Sequence, residues 1–246
     1  MTEVRYEVAD HIATITLDAP DRRNALSVEM SRQLVDAART AEADAAVGAV
    51  VVTGGGHFCA GAVRDVLAGV GADPVEDEAY RGLETVYSAF TTIGSIDLPT
   101  IAAVRGAAVG AGLNLALATD LRVVSRTARL LPGFAQIGIH PGGGHLSLLA
   151  RVGGRESAAG MGLFGEEVSG EDAVRLGMAW SAHEDEDVEQ AARDVAARVA
   201  ADPELARRLV RSFRRETAPA TLPWDVAVEV ERSPQMWSLR RKHGSR

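Results

Sequence analysis

The 246-residue chain has a single cysteine, Cys59. No intrachain disulfide and no cysteine-rich metal site can therefore form, and a reducing, cytoplasmic setting fits that usage. Aromatic residues make up only 4% of the chain, which leaves Ala, Val and Leu to build the core. No apolar run approaches the ~20 residues needed to cross a bilayer. Met1–Asp10 lacks the basic-then-apolar order of a secretory signal. The formal net charge of −8 argues against a general nucleic-acid binder. There is no Gly-Lys-Ser/Thr phosphate loop and no Gly-x-Ser-x-Gly elbow. Gly110–Leu115 opens like a dinucleotide fingerprint, but its third glycine and a ribose-binding acid are missing.

Glycine-rich loops are what the chain does have. Gly54-Gly55-Gly56-His57-Phe58-Cys59-Ala60-Gly61-Ala62 follows the apolar run 49–53, and Arg105–Gly112 follows the run 101–104. Each reads as a buried strand that ends in a loop of tiny residues and then starts a helix. Such loops bend sharply and let a ligand approach bare N–H groups. Two of them could aim two donors at one oxygen, which is the arrangement of an oxyanion hole.

Val4–Val8 and His11–Leu17 alternate apolar and polar residues around Ala9-Asp10, predicting a hairpin. Ser27 opens a predicted helix to Ala43 with Met30, Leu34, Ala38 and Ala41 on one face. Gly69–Ala79, rich in acids and turn formers, reads as an exposed loop. A helix is expected over 78–93, a strand over 100–104, a helix over 112–118 and a strand over 121–125. Pro141-Gly142-Gly143-Gly144 opens a helix to about Val152, Ser169–Asp172 is a capping box, and Asp202-Pro203 starts another helix. The last helix is expected over 221–241. Arg207, Arg208, Arg211, Arg214 and Arg215 sit at helical spacing; they read as a solvated or subunit-facing side, or as contacts to phosphates.

Five stretches, in order, carry a family resemblance: Arg22–Ser27, Phe58–Ala62, Gly106–Asp120, Gln136–Gly144 and Val168–Trp180. Together they resemble the crotonase superfamily, which includes enoyl-CoA hydratases and isomerases. The resemblance implies an α/β fold, a spiral of ββα units over 1–186, followed by a C-terminal helical oligomerisation region over 187–246 that packs in homotrimers, often paired into hexamers. It implies an acyl-CoA or enoyl-CoA thioester as ligand, with coenzyme A entering as part of the substrate and no separate cofactor or metal. By position, the N–H groups of Ala62 and Ala111 would hold the thioester oxygen. Arg23, Asn24, Ala25, Ala60, Gly61, Gly110, Phe134 and Pro141 would line the substrate and its CoA.

The chain also departs from the pattern. A hydratase of this family uses two carboxylates, and their positions here hold Asn114 and Phe134. Isomerases usually keep a carboxylate at the second of these or after Pro141, where this chain has Gly142. Asn114 cannot serve as a base near neutral pH and Phe134 cannot serve at all. His140 and His145 flank the glycine turn, so they are candidate proton carriers. Arg64 and Asp65 bring charge near the first loop, toward either CoA or solvent. Two functions follow: an acyl-CoA enzyme with a non-standard proton carrier, or a non-catalytic acyl-CoA carrier on the same scaffold.

Overall fold

The computed structural model describes residues 2–72, 76–217 and 223–244. Strands β1 (Val4–Ala9) and β2 (Ile12–Leu17) form the expected hairpin, with Val4 opposite Leu17 and Ala9 opposite Ile12. Its turn residues Asp10 and His11 both have positive φ, 52° and 63°, the backbone that lets a tight turn follow the twist of its strands. β2 continues into a parallel run with β3 (Ala49–Thr53), β4 (Thr100–Val104), β6 (Leu121–Ser125) and β9 (Ser181–His183). The sheet order is β1-β2-β3-β4-β6-β9. A second, smaller sheet pairs β5 (Ala107–Val109) with β7 (Arg129–Leu131) in parallel, and β7 with β8 (Val168–Ser169) antiparallel.

β3 and β4 are buried along their whole length, as parallel strands covered on both faces must be. Their side chains alternate between two apolar clusters. Val50 and Val52 face the larger one, with α1 (Val28–Ala43) and α3 (Asp77–Ile93). Ala49 and Val51 face Val188, Ala192, Ala196 and Ala200 of α7 (Val188–Ala200). That stripe of small residues recurs every fourth position and lets α7 lie close to the sheet. A Cβ on Gly48 would strike the Ala200 backbone.

The Ser27 helix starts as expected, with Ser27 Oγ accepting from Met30 N at 2.9 Å, a side-chain cap on an otherwise orphan N–H. Ser169 caps α6 (Gly170–Arg175) and Asp202 caps α8 (Pro203–Glu216) in the same way. The exposed loop expected over Gly69–Ala79 is corrected by the structure. α2 (Arg64–Ala72) runs into it and α3 begins at Asp77, while residues 73–75 lie outside the described ones. Tertiary packing overrides the weak helix propensity of this stretch. Val66 and Leu67 join the core, and Gly71 sits against α9 (Trp224–His243), where a Cβ would come within 3.1 Å of Leu239 O. The helix expected from Pro141 starts only at His145, because Gly143 and Gly144 hold φ of 74° and 73°. This helix, α5 (His145–Gly162), passes Val152 and breaks at Gly154 (φ 76°, ψ 175°). The terminal helix covers Trp224–His243; Thr221 and Leu222, where it was expected to begin, lie outside the described residues.

No helix among the described residues is long and apolar enough to cross a membrane.

Candidate active site

The two glycine loops are laced together. Cys59 bridges Ala108: Cys59 N donates to Ala107 O at 3.0 Å and Val109 N to Cys59 O at 2.9 Å. Gly112 makes this possible, since a Cβ there would overlap Cys59 O and come 2.8 Å from its Sγ. Burial pushes the Cys59 thiol up to about 12, so it stays protonated and inert. A thiol-reactive disulfide reagent is expected to label native protein about 100-fold more slowly than denatured protein. Equal rates would show that this joint opens in the native state.

The first loop also docks on residues 23–26. Ala60 N donates to Arg23 O at 3.0 Å, Leu26 N to Gly61 O at 2.7 Å and Val63 N to Leu26 O at 3.0 Å. Those bonds form a parallel bridge between Leu26 and Ala62, in which the N–H of Ala62 itself points away from the partner strand. Ala111 is the first residue of α4 (Ala111–Ala118), behind Gly110 with φ 53° and ψ −113°. Its N–H is one of the four that a helix start leaves unpaired. The two amides are close. Gly61, at φ +99°, approaches the second loop so tightly that a Cβ would lie 3.0 Å from Val109 O and 4.0 Å from Ala111 N. Two loops thus bring close together two N–H groups that have no partner among the described residues, beside the positive end of a helix dipole.

Both residues, Ala62 and Ala111, line a cavity of about 660 Å³. Of the residues expected to line it, Ala25, Ala60, Gly61, Ala62, Gly110, Ala111, Asn114 and Phe134 do so. Arg23, Asn24, Pro141, His140 and His145 are not on its wall. Asn24 instead organises the first loop: its Oδ1 accepts from Ala19 N, and its Nδ2 donates to Gly54 O and His57 O, both at 2.7 Å. Arg64 and Asp65 do lie on the wall, beside Arg22. Asp65 is the one carboxylate on the wall among the described residues.

Sequence reasoning missed the far wall. Leu83, Val86 and Tyr87 come from α3, and Gln235 from α9. The spacing 83, 86, 87, 90 is an amphipathic stripe that was legible as a helix face, but nothing in it says that the face borders a ligand cavity.

Asn114 lies one helical turn after Ala111. Its Nδ2 donates to Gly142 O at 3.0 Å and its Oδ1 accepts from His145 Nδ1 at 2.6 Å. His145 is fully buried, with the Phe134 ring edge-on at 4.9 Å. Burial pulls its pKa down to about 3, so it is neutral, Nδ1 carries the proton and Nε2 has no partner among the described residues. His140 is half-buried and turns Nδ1 toward Pro141 O. Glu231 of α9 accepts from His145 N at 2.7 Å and Leu146 N at 2.9 Å, which anchors the start of α5. Burial raises the Glu231 pKa against those hydrogen bonds.

The arginines of α8 are largely committed within the chain. Arg207 donates to the carbonyls of Glu42 and Asp44, Arg211 pairs with Asp97 at 2.7 Å, and Arg214 pairs with Asp120 at 2.8 Å.

A parallel sheet flanked by helices, with paired glycine loops beside a largely apolar cavity, defines an α/β protein with a pocket of the kind that takes a small, largely apolar ligand. The sequence matches the enoyl-CoA hydratase/isomerase family over residues 7–241. The protein named probable enoyl-CoA hydratase EchA14 of Mycobacterium tuberculosis is 44% identical, the match covering 96% of this chain and 92% of that one. The 1,2-epoxyphenylacetyl-CoA isomerase of Escherichia coli is 32% identical over 96% of this chain and 89% of its own. The crystal structure of enoyl-CoA hydratase from Bacillus halodurans superposes with a TM-score of 0.87 at 21% identity, covering 100% of both chains. The chain belongs to the enoyl-CoA hydratase/isomerase family, and its fold is that of the crotonase superfamily.

Proposed function

We propose that this protein is an acyl-CoA enzyme of the lyase or isomerase type that stabilises a thioester enolate at the Ala62 and Ala111 N–H groups. The observation that supports this reading is that Ala62 and Ala111 lie close together on the wall of one largely apolar cavity, with no partner for either N–H among the described residues. Removing the α-proton of a thioester places negative charge on its oxygen. Donors fixed beforehand in a site of low polarity stabilise that charge by roughly 3–4 kcal/mol each, and they need no particular side chain.

The proton carrier in this reading is Asp65, a carboxylate on the cavity wall. His145 reaches the cavity only through Asn114, and His140 faces its own turn. The names of the relatives support turnover. The neutral lining at Asn114, Phe134 and Gly142 supports the second reading, a carrier that binds acyl-CoA without converting it. Assembly into homotrimers or hexamers belongs to the same proposal, supported by the exposed apolar side chains Leu209, Phe213, Val230 and Trp237 of α8 and α9.

The discriminating measurement is exchange of the α-protons of butyryl-CoA in heavy water, run beside hydration of crotonyl-CoA and isomerisation of a 3-enoyl-CoA. Exchange or turnover above the uncatalysed rate is expected. Tight binding with no exchange and no turnover would leave the carrier reading standing. Exchange that persists in Asp65→Asn would return the proton role to His145 or His140.

A further inference from the structure

Gly142 follows Pro141, and no side chain grows from it into the cavity it lines. That volume is nevertheless filled. A Cβ built on Gly142 would overlap the carboxamide of Gln235, which reaches in from α9. Gln235 is 3% exposed and lines the cavity with Gly142, Asn114 and Tyr87.

The amide is oriented from one side. The Gly143 backbone hydrogen-bonds to the Tyr87 hydroxyl, which in turn donates to Gln235 Oε1. The Arg232 guanidinium lies 5.5 Å over the Tyr87 ring and helps to hold it. With Oε1 occupied, Nε2 carries the remaining hydrogens, and it has no acceptor among the described residues. Nε2 is not sealed in the protein, so it is a donor free to meet an acceptor in the cavity. On the wall of a largely apolar cavity, an oriented donor of this kind helps to fix which ligand fits.

We propose that Gln235 is the specificity-determining residue of this pocket, donating from Nε2 to an acceptor oxygen on the acyl group beyond the thioester carbonyl. The preferred ligand is then an oxygenated acyl thioester rather than a plain alkyl one. The inference rests on the acyl-CoA reading above and adds the acyl group to it. Gln235 positions the ligand and takes no proton, since a carboxamide is neither an acid nor a base near neutral pH.

Calorimetric titration of acetoacetyl-CoA and butyryl-CoA tests this, because the two differ by one oxo group. The titration is run at mildly acidic pH, where acetoacetyl-CoA stays in its keto form. The full-length protein is expected to bind acetoacetyl-CoA roughly tenfold more tightly, the worth of one well-made hydrogen bond. Gln235→Leu is expected to bring that ratio close to one. Gln235→Met, nearly isosteric, gives the same readout should leucine disturb the packing against Gly142. Equal affinity of the unaltered protein for both thioesters overturns this inference alone, as does a ratio that survives both substitutions. Failure of every CoA thioester to bind overturns the acyl-CoA reading and this inference with it.

Discussion

Replacing Ala111 by proline is expected to lower α-proton exchange on a CoA thioester by about 10²–10³-fold, the usual cost of deleting one oxyanion donor. Thermal stability is expected to stay close to that of the unaltered protein. Ala111 is the first residue of α4. Proline is well tolerated at that helical position, because its missing N–H would have no intrahelical partner there and its fixed φ suits the helix. The substitution therefore removes the donor while the helix remains. The same change at Ala62 would be less clean, since that residue sits between the Leu26–Gly61 and Val63–Leu26 hydrogen bonds that dock the loop. Initial exchange rates and a melting curve on the same preparation check the prediction. Undiminished exchange in a folded Ala111→Pro protein would remove this amide from the site and with it the argument from paired loops.

Much of that arrangement was legible in the sequence. The runs at 49–53 and 101–104 are apolar throughout and end in glycine, so strand, sharp turn and helix follow from composition alone. The replacements at Asn114, Phe134 and Gly142 were equally plain once the motifs were aligned by position. Other parts were not readable. Residues 69–72 and 77–79 have the glycines and acids of a loop, yet they are helical; for 69–72 the packing of α2 on α9, where Gly71 meets Leu239, decides the matter. Gln235 gives no local signal. It matters only because chain packing delivers it to the space over Gly142. His145 stands next to the glycine turn in sequence but behind Phe134 in space, and no spacing rule separates those two places.

The neutral replacements also form a consistent set. Asn114 ties the Gly142 carbonyl to the His145 ring. Phe134 covers that ring from the cavity side. A carboxylate at either position would face a neutral imidazole in a dry setting and would have its own ionisation suppressed. In the proposed function the inner end of the cavity would act through fixed dipoles, namely the two amides, the α4 terminus and the Gln235 carboxamide. Formal charge is kept to the Arg22, Arg64 and Asp65 part of the wall.

The buried imidazole should leave its mark on stability. In the folded chain the His145 pKa lies at about 3, whereas an unfolded histidine titrates near 6.5. Below about pH 6.5 the unfolded chain takes up a proton that the folded one refuses, so stability is lost as pH falls toward the folded value. At about pH 5 this amounts to roughly 2 kcal/mol, or about 4–8 °C in Tm for a chain of this size. Glu231 acts in the opposite direction. Its pKa is raised on folding, so the folded state holds a proton more readily than the unfolded one and acid favours it there. Subtracting the melting profile of His145→Gln from that of the unaltered protein isolates the imidazole, because Glu231 is common to both. Glutamine keeps a donor for Asn114 Oδ1 and has nothing to titrate. The difference is expected to be flat above about pH 7 and to grow by up to about 1.4 kcal/mol per pH unit below about 6. Parallel profiles across that range would mean that His145 gains its proton in the folded state, and so that water reaches the space behind Phe134.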